Sequence, residues 1–478
     1  MNPARAMSLV FGVALALRLA YAIAMYLIAG PEGLQSEDSG LYLSLGEIFA
    51  RYGDFVRPIA DGGVVPETER MPLYVIWLAL HHVISGTTDP LFPALTQGVL
   101  DALACLVIAR IAGLFDRRLA LPAGLIAACN PTQIAVSALI LNDSVFFLFC
   151  CLALYAALDW LRAPNWRAAI LLGGALGLGV STRTMLLPWT ALLALLLPLL
   201  GLVAVSARTR VAAYPRQFAL GVAHMTLVVV LCLAVQAPIF ARNLGTYDSI
   251  HLTSQGGTHS LLWVAPLVRE ASDGTGHEQG ARDNNARFNA RHPTPSDNPF
   301  EESRKMDEVA REVLGGLGIG AIVKAWAIGT VINLFSPAAL VSPPVRELPR
   351  TGFLSAPGDS KLAKIRNYLL ANDNPTYAWI MVLTGIGAIA FRLVELFGLG
   401  LAARARGAAS VRLWRTSLAV LLLWAGYVLV VNGPVASAKY RLPIEPLAAL
   451  GLAIVIVALI DWRARRRAAP ARAPSGSR

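Results

Sequence analysis

Residues 30–85 read GPEGLQSEDSGLYLSLGEIFARYGDFVRPIADGGVVPETERMPLYVIWLALHHVIS. This is the first long polar interruption in a chain that otherwise keeps returning to membrane-length apolar runs. It opens on an acidic cluster, Ser36-Glu37-Asp38-Ser39-Gly40-Leu41-Tyr42, and closes on Arg70-Met71-Pro72-Leu73-Tyr74 and the apolar run beyond. Leu41, Leu45, Ile48, Phe49 and Tyr52 fall on one helical stripe. With charges opposite, that pattern suits a helix lying in the membrane interface. Asp38 falls in its first turn, where the helix dipole favours a carboxylate. The run PLYVIWLALHHVIS makes only about 21 Å of helix, short of the ~30 Å hydrocarbon core. The segment therefore predicts two interfacial helices on a water-facing shelf, with no span between them.

Outward from this shelf the chain is membrane protein. Of its 478 residues, 56% are hydrophobic and only 15% charged, against about 25% charged in a soluble domain. The apolar runs predict an all-α polytopic bundle of about ten transmembrane helices (within nine to twelve), read as a single membrane-embedded catalytic domain over 1–478. The spans fall near 7–29, 93–114, 119–139, 144–161, 167–181, 186–205, 218–240, 376–397, 413–431 and 440–460. The net charge of +11 raises the question of nucleic acid. The basic residues, however, collect between spans, at 116–118, 162–167, 208–216 and 404–415, and in a low-complexity tail, 463–478, expected to be disordered. That is the positive-inside pattern, and it excludes the basic face with stacking aromatics that nucleic acid would need. It also places residues 30–85 and 241–375 outside, with the apolar stretch 315–335 re-entrant or interfacial. Within the outer segment, Asn298-Pro299-Phe300-Glu301 has the order of a helix start. Arg18, inside the first run, is either functional or paired with a neighbouring helix.

Cys105, Cys129, Cys150, Cys151 and Cys232 all lie in apolar runs without metal or redox spacing, so they read as free, buried packing residues. His251, His259, His277 and His292 in the outer segment match no zinc pattern, and no metal ligands are assigned.

On the outside face, polar residues gather from distant parts of the sequence: Glu37, Asp38, Arg70, Asn142, Asp143, Arg183, Lys439, Tyr440 and Arg441. A carboxylate beside several cations can act as base toward a hydroxyl while the cations hold a phosphate and stabilise it as a leaving group. Simpler roles compete. Arg183, Lys439 and Arg441 also suit interfacial anchors, and Asp143 suits a helix cap.

The order of these features resembles a known family. It runs through a first span, Asp38 with Tyr42 four residues later, Arg70 to Tyr74, Asn130-Pro131, Asp143 at an outer turn, Thr182-Arg183, and Lys439 to Pro446. It looks like the GT-C polyprenyl-phosphate-dependent glycosyltransferases, with the protein O-mannosyltransferases and the aminoarabinose transferases of lipid A. The resemblance implies an integral glycosyltransferase of a bacterial inner membrane with its active site facing the periplasm. A hexose or pentose on a polyprenyl-phosphate donor would pass to an acceptor glycan, lipid or protein. Asp38 would be the general base and Asp143 a second catalytic carboxylate. Arg70, Arg183, Lys439 and Arg441 would bind the donor phosphate, and Glu37, Tyr42, Tyr74, Asn142 and Tyr440 would line the substrate pocket. Relatives carry Thr-Glu where this chain has Asn142-Asp143, and a divalent metal is left open. Two other classes compete. One is a glycan polymerase or ligase with a diphosphate-linked donor. The other is a lipid-linked glycan transporter, which would show repeated halves that this chain lacks.

Overall fold

The computed structural model describes residues 2–59, 62–205, 214–348, 357–371, 374–403 and 410–468. In chain order its elements are α1 (Pro3–Ala29), α2 (Ser39–Tyr52), a short antiparallel hairpin of β1 (Val56–Pro58) and β2 (Val64–Pro66), α3 (Pro72–Ser85), α4 (Leu91–Phe115), α5 (Arg117–Ala128), α6 (Pro131–Ala138), α7 (Asp143–Arg162), α8 (Trp166–Val180), α9 (Leu186–Val205) and α10 (Tyr214–Tyr247). An outer helical layer follows: α11 (Gln255–His259), α12 (Ala265–Asp273), α13 (His277–Arg291) and α14 (Pro299–Phe335). The chain ends through α15 (Pro343–Arg346), α16 (Lys361–Leu370), α17 (Pro375–Ala403), α18 (Ser410–Asn432) and α19 (Glu445–Ala468).

Among the described residues nine helices are long and apolar enough to cross a membrane, or ten if α5 and α6 count as one span bent by 52°. The chain is an all-α polytopic membrane protein, as its sequence predicts, but the membership of the set differs. α14 qualifies by length and hydropathy, whereas α8 is a shorter apolar helix of 15 residues. Small residues hold α8 in place. A Cβ on Gly173 or Gly177 would meet Val228 at 3.1 Å and Val235 at 2.9 Å, so α8 and α10 approach closely, as small residues allow in membranes.

Residues 30–85 form two amphipathic helices, with the hairpin between them a feature the periodicity did not predict. The buried stripe of α2 is shifted: Tyr42, Leu45 and Gly46 face inward, while Tyr52 is exposed beyond the helix's packed turn. The α2–α3 packing is close, since a Cβ on Gly46 would sit 2.8 Å from Leu78.

The bend between α5 and α6 is the structural centre of the first half. Ending α5 at Cys129 strands the last carbonyls of one helix and the first N–H groups of the next, which is costly where no water is available. Asn130 caps α6, its Oδ1 accepting from Thr132 N at 2.9 Å and Gln133 N at 3.2 Å. Arg18, buried in mid-α1, donates to Ala128 O at 2.9 Å and Ala127 O at 3.4 Å. The same guanidinium pairs with Asp101 of α4 at 2.5 Å and reaches Gln133 at 3.2 Å. Arg18 thus has the pairing role. Cys129, read as buried, is exposed because the break lifts it off the helix.

α14 carries a non-helical Gly318 (φ 78°, ψ 161°) that divides it. Its outer half begins as the sequence predicts, with Asn298 accepting from Phe300 N at 3.0 Å. Residues 319–335 then run inward. Their end is met by Arg392 of α17 on Leu334 O at 3.2 Å, and by Arg441 on Ser336 O. The chain returns past α1, where Tyr21 bonds Ser342 at 2.8 Å, to Gln35 at the first loop, whose carbonyl accepts from Arg346 at 2.9 Å. At the C-terminus α19 stays helical to Ala468, so residues 463–468 are ordered helix where a disordered tail was expected. Residues 206–213 and 469–478, with Arg404 and Arg406, lie outside the described residues.

Arg18→Met leaves the Asp101 carboxylate buried without a partner and the α5 carbonyls unmet. It should cost about 3–5 kcal/mol, read as a fall in thermal unfolding temperature. The double change Arg18→Met with Asp101→Leu should recover part of that loss.

Candidate active site

A cavity of about 380 Å³ opens where the first loop, the 182–184 turn, the start of the outer layer and the 431–440 segment meet. Asp38 occupies the position before α2 yet makes no side-chain cap bond. Ser39 takes the local work, accepting from Ser36 N at 2.8 Å and donating to Ile140 O at 2.8 Å. The Asp38 carboxylate is left to accept from Arg70 Nη2 at 3.1 Å. Arg70 is positioned by a tight turn: Glu67 Oε1 accepts from Glu69 N at 2.6 Å and Arg70 N at 2.8 Å. Pro72 then opens α3, and Leu73 N ties it to Ser181 O at 3.0 Å.

The facing wall is built around Arg183. Its Nε donates to Asn142 Oδ1 at 3.0 Å and its Nη2 pairs with Asp143 at 2.8 Å. Its guanidinium lies 5.5 Å from the Phe146 ring centre and 5.8 Å from that of Tyr440, within cation–π range. Asn142 Nδ2 reaches the Tyr42 hydroxyl at 3.1 Å and Thr182 O at 3.0 Å. Lys439 sits over Tyr440, Nζ 5.4 Å from the ring centre. Burial pushes the Tyr42 phenol up to about 12, against the pull of Arg70 and Arg183. At neutral pH it is a hydrogen-bonding group and no base.

The structure brings together Asp38, Tyr42, Arg70, Asn142, Arg183, Lys439 and Tyr440 on one cavity. Four sequence candidates fall elsewhere. Glu37 is exposed on the far side of the turn and does not border the cavity. Tyr74 is fully buried beneath it, donating to Gln97 at 2.5 Å and presenting its ring to Tyr42 at 5.0 Å. Asp143 is buried behind Arg183 as the start of α7, and is neither a lining residue nor a cap. Arg441 lies in the interior, bound to Thr132 at 2.6 Å and Glu445 at 3.1 Å. Arg392 joins the same Glu445 at 2.7 Å, so Arg441 belongs to a buried charge network rather than to a phosphate site. Glu69, Thr184, Thr253, Gln255, His259 and Asn432 also line the cavity. The sequence flagged His259 only as one of four histidines without spacing. Among the described residues no three His, Cys, Asp or Glu side chains converge as a metal-ligand set.

Comparison with known proteins gives one family match and several distant structural likenesses. No curated protein sequence matches the chain. An archaeal oligosaccharyltransferase, AglB from Archaeoglobus fulgidus, solved with an inhibitory peptide and a dolichol-phosphate, aligns at 15% identity and TM-score 0.48. That alignment covers 97% of this chain and 52% of AglB, so the chain spans about half its length. ArnT from Cupriavidus metallidurans, in the apo state, aligns at 16% identity and TM-score 0.34 over 92% of this chain and 77% of its own. The family model for dolichyl-phosphate-mannose-protein mannosyltransferases matches residues 70–240. That stretch, about a third of the chain, delivers Arg70, Asn142 and Arg183 to the cavity.

Proposed function

We propose that this chain transfers a sugar from a polyprenyl-phosphate donor to an acceptor hydroxyl, with Asp38 as general base and Arg70, Arg183 and Lys439 holding the donor phosphate. The observation that carries the reading is a carboxylate and a guanidinium 3.1 Å apart on one cavity, with two further cations on its walls. Asp38 accepts the acceptor's proton, the acceptor oxygen attacks the anomeric carbon, and the lipid phosphate leaves onto the cations.

The two ion pairs differ in a way that suits these roles. The Asp38 side chain is 47% exposed, and such a pair is worth only about 0–1 kcal/mol. Arg70 can exchange Asp38 for a phosphate oxygen at little cost, and its Nη1 is held only by a long ion pair to Glu69 at 3.8 Å. The Asp143–Arg183 pair has a carboxylate only 3% exposed, and breaking a buried pair costs about 3–5 kcal/mol. Arg183 is accordingly a fixed cation, aimed in advance at where charge develops.

Charge supports the orientation. Arg118 pairs with Asp461 near the end of α19, and Arg162 bonds Leu114 O at 2.8 Å, so these basic residues gather at the end of the bundle away from the cavity. By the positive-inside rule that end is cytoplasmic and the cavity faces outward, to the periplasm if the membrane is a bacterial inner membrane.

In reconstituted membranes Asp38→Asn should lower sugar transfer at least about 100-fold, the scale of a lost general base, with donor affinity little changed and the unfolding temperature held. Wild-type turnover in that variant would overturn the assignment of the base. Arg70→Ala should weaken donor binding, and Arg70→Lys should restore only part of it, because an ammonium lacks the planar fork. Asp143→Ala should instead lower thermal stability by several degrees, separating its supporting role from that of Asp38.

A further inference from the structure

The walls of the cavity differ in chemistry. One carries Asp38, Glu69 and Arg70, and another Arg183, Lys439 and Tyr440. The remaining wall, from the start of the outer layer, presents Thr253, Gln255, Gly256 and His259, polar and without formal charge. We infer that segment 253–259 reads the hydroxyl groups of a sugar, and that His259 is its specificity-determining residue. This rests on the transfer reading above and names which part of the site selects its sugar.

Three observations carry the inference. First, the polar atoms here are unspent. Asn142, Arg183 and Tyr42 are engaged with one another, whereas the Gln255 amide and the His259 ring make no side-chain hydrogen bond to other described residues. Gln255 is half-buried and His259 exposed at the cavity mouth, so a ligand that covers them without a matching hydroxyl leaves them unpaired.

Second, the wall is fixed in place. Ser254 N donates to Thr68 O at 2.8 Å, and the Ser254 and Thr68 hydroxyls share a 2.8 Å bond. Thr68 stands two residues before Arg70, so the clamp sets this wall relative to the Asp38–Arg70 pair. On the other side Gly257 N donates to the Ser303 hydroxyl at 2.9 Å. Gly257 packs so closely on the Ser303 backbone of α14 that no side chain fits there. A π-helical turn, Ser260–Val264, follows His259 directly, and such turns recur at functional sites. A wall held before the ligand arrives loses little entropy on binding.

Third, the chemistry of the group matches. The His259 ring is reachable through the cavity mouth, yet surrounding protein lowers its imidazole below the ordinary value. A neutral imidazole offers one donor and one acceptor, which is the complement of a hydroxyl. It adds no charge to compete with Arg183 and Lys439 for phosphate. The hydroxyls read could belong to the donor sugar or to the acceptor.

The test uses the full chain in lipid nanodiscs. Its probes are a short-chain polyprenyl phosphate and the same lipid phosphate carrying mannose, glucose or galactose. His259→Ala should collapse an epimer preference of about tenfold or more to within about twofold, while affinity for the sugar-free lipid phosphate is unchanged. His259→Gln, which keeps a donor and an acceptor, should retain part of the preference. If epimer preference is unaltered but KM for a hydroxyl acceptor (methyl mannoside or a threonine peptide) rises in His259→Ala, the wall reads the acceptor. Unchanged epimer preference together with unchanged acceptor KM overturns the inference. A wild-type chain that binds none of the lipid phosphates removes the transfer reading itself, and this inference with it. Arg70→Ala is the contrast, since it should lose the sugar-free probe as well.

Discussion

A helix cannot be broken inside a bilayer unless the freed backbone groups find partners within the protein. The break at Cys129–Asn130 meets that constraint from both sides. Asn130 takes the N–H groups of α6, and Arg18 takes carbonyls at the end of α5. Because Arg18 also carries Asp101 and Gln133, one guanidinium joins α1, α4, α5 and α6. The break lets α6 and the following 139–142 turn run beneath the first loop, where Ile140 O accepts from Ser39 and Asn142 donates to Tyr42 and accepts from Arg183. The cavity depends on that turn, and so on a buried charge well below it.

A second buried network repeats the same solution nearer the C-terminus. Glu445 accepts from Asn130 at 2.9 Å, from Arg392 at 2.7 Å and from Arg441 at 3.1 Å. Asn130 therefore links the two networks, its oxygen capping α6 and its nitrogen serving Glu445. In water such pairs would add little. Here their role is to hold interrupted backbone, as Arg392 and Arg441 do for Leu334 and Ser336.

How far the sequence could be read follows from the kind of signal each part carries. Long apolar runs and basic connectors gave the polytopic class directly, because both are one-dimensional patterns. Asp38 and Arg70 were legible as acid and base in the same polar loop, and Arg183 as a cation at a tight turn. Arg441 was misread because a charge beside a span looks identical whether it faces water or another buried charge. Tyr74 was misread because its neighbours Arg70 and Met71 line the cavity, while its own hydroxyl turns to Gln97. Glu37 and Asp38 are adjacent, and only the turn before α2 decides which faces Arg70. His259 had no signal at all. Its place comes from the clamp between Thr68 and Ser254, a contact across 186 residues that no local pattern encodes.

The inner half of α14 has a consequence for how the chain is made. A ribosome delivers the N-terminal helices first, so residues 319–335 emerge before α17 and before the Ala438–Ile444 turn. The groups that satisfy their end, Arg392 for Leu334, Ser437 for Asn333 and Arg441 for Ser336, all come later. Until those arrive the end of the segment lacks these partners. Gly318, with its non-helical backbone, separates this late-satisfied half from the outer half of the helix. Of the segments that wall the cavity, 431–440 is the last to be synthesised.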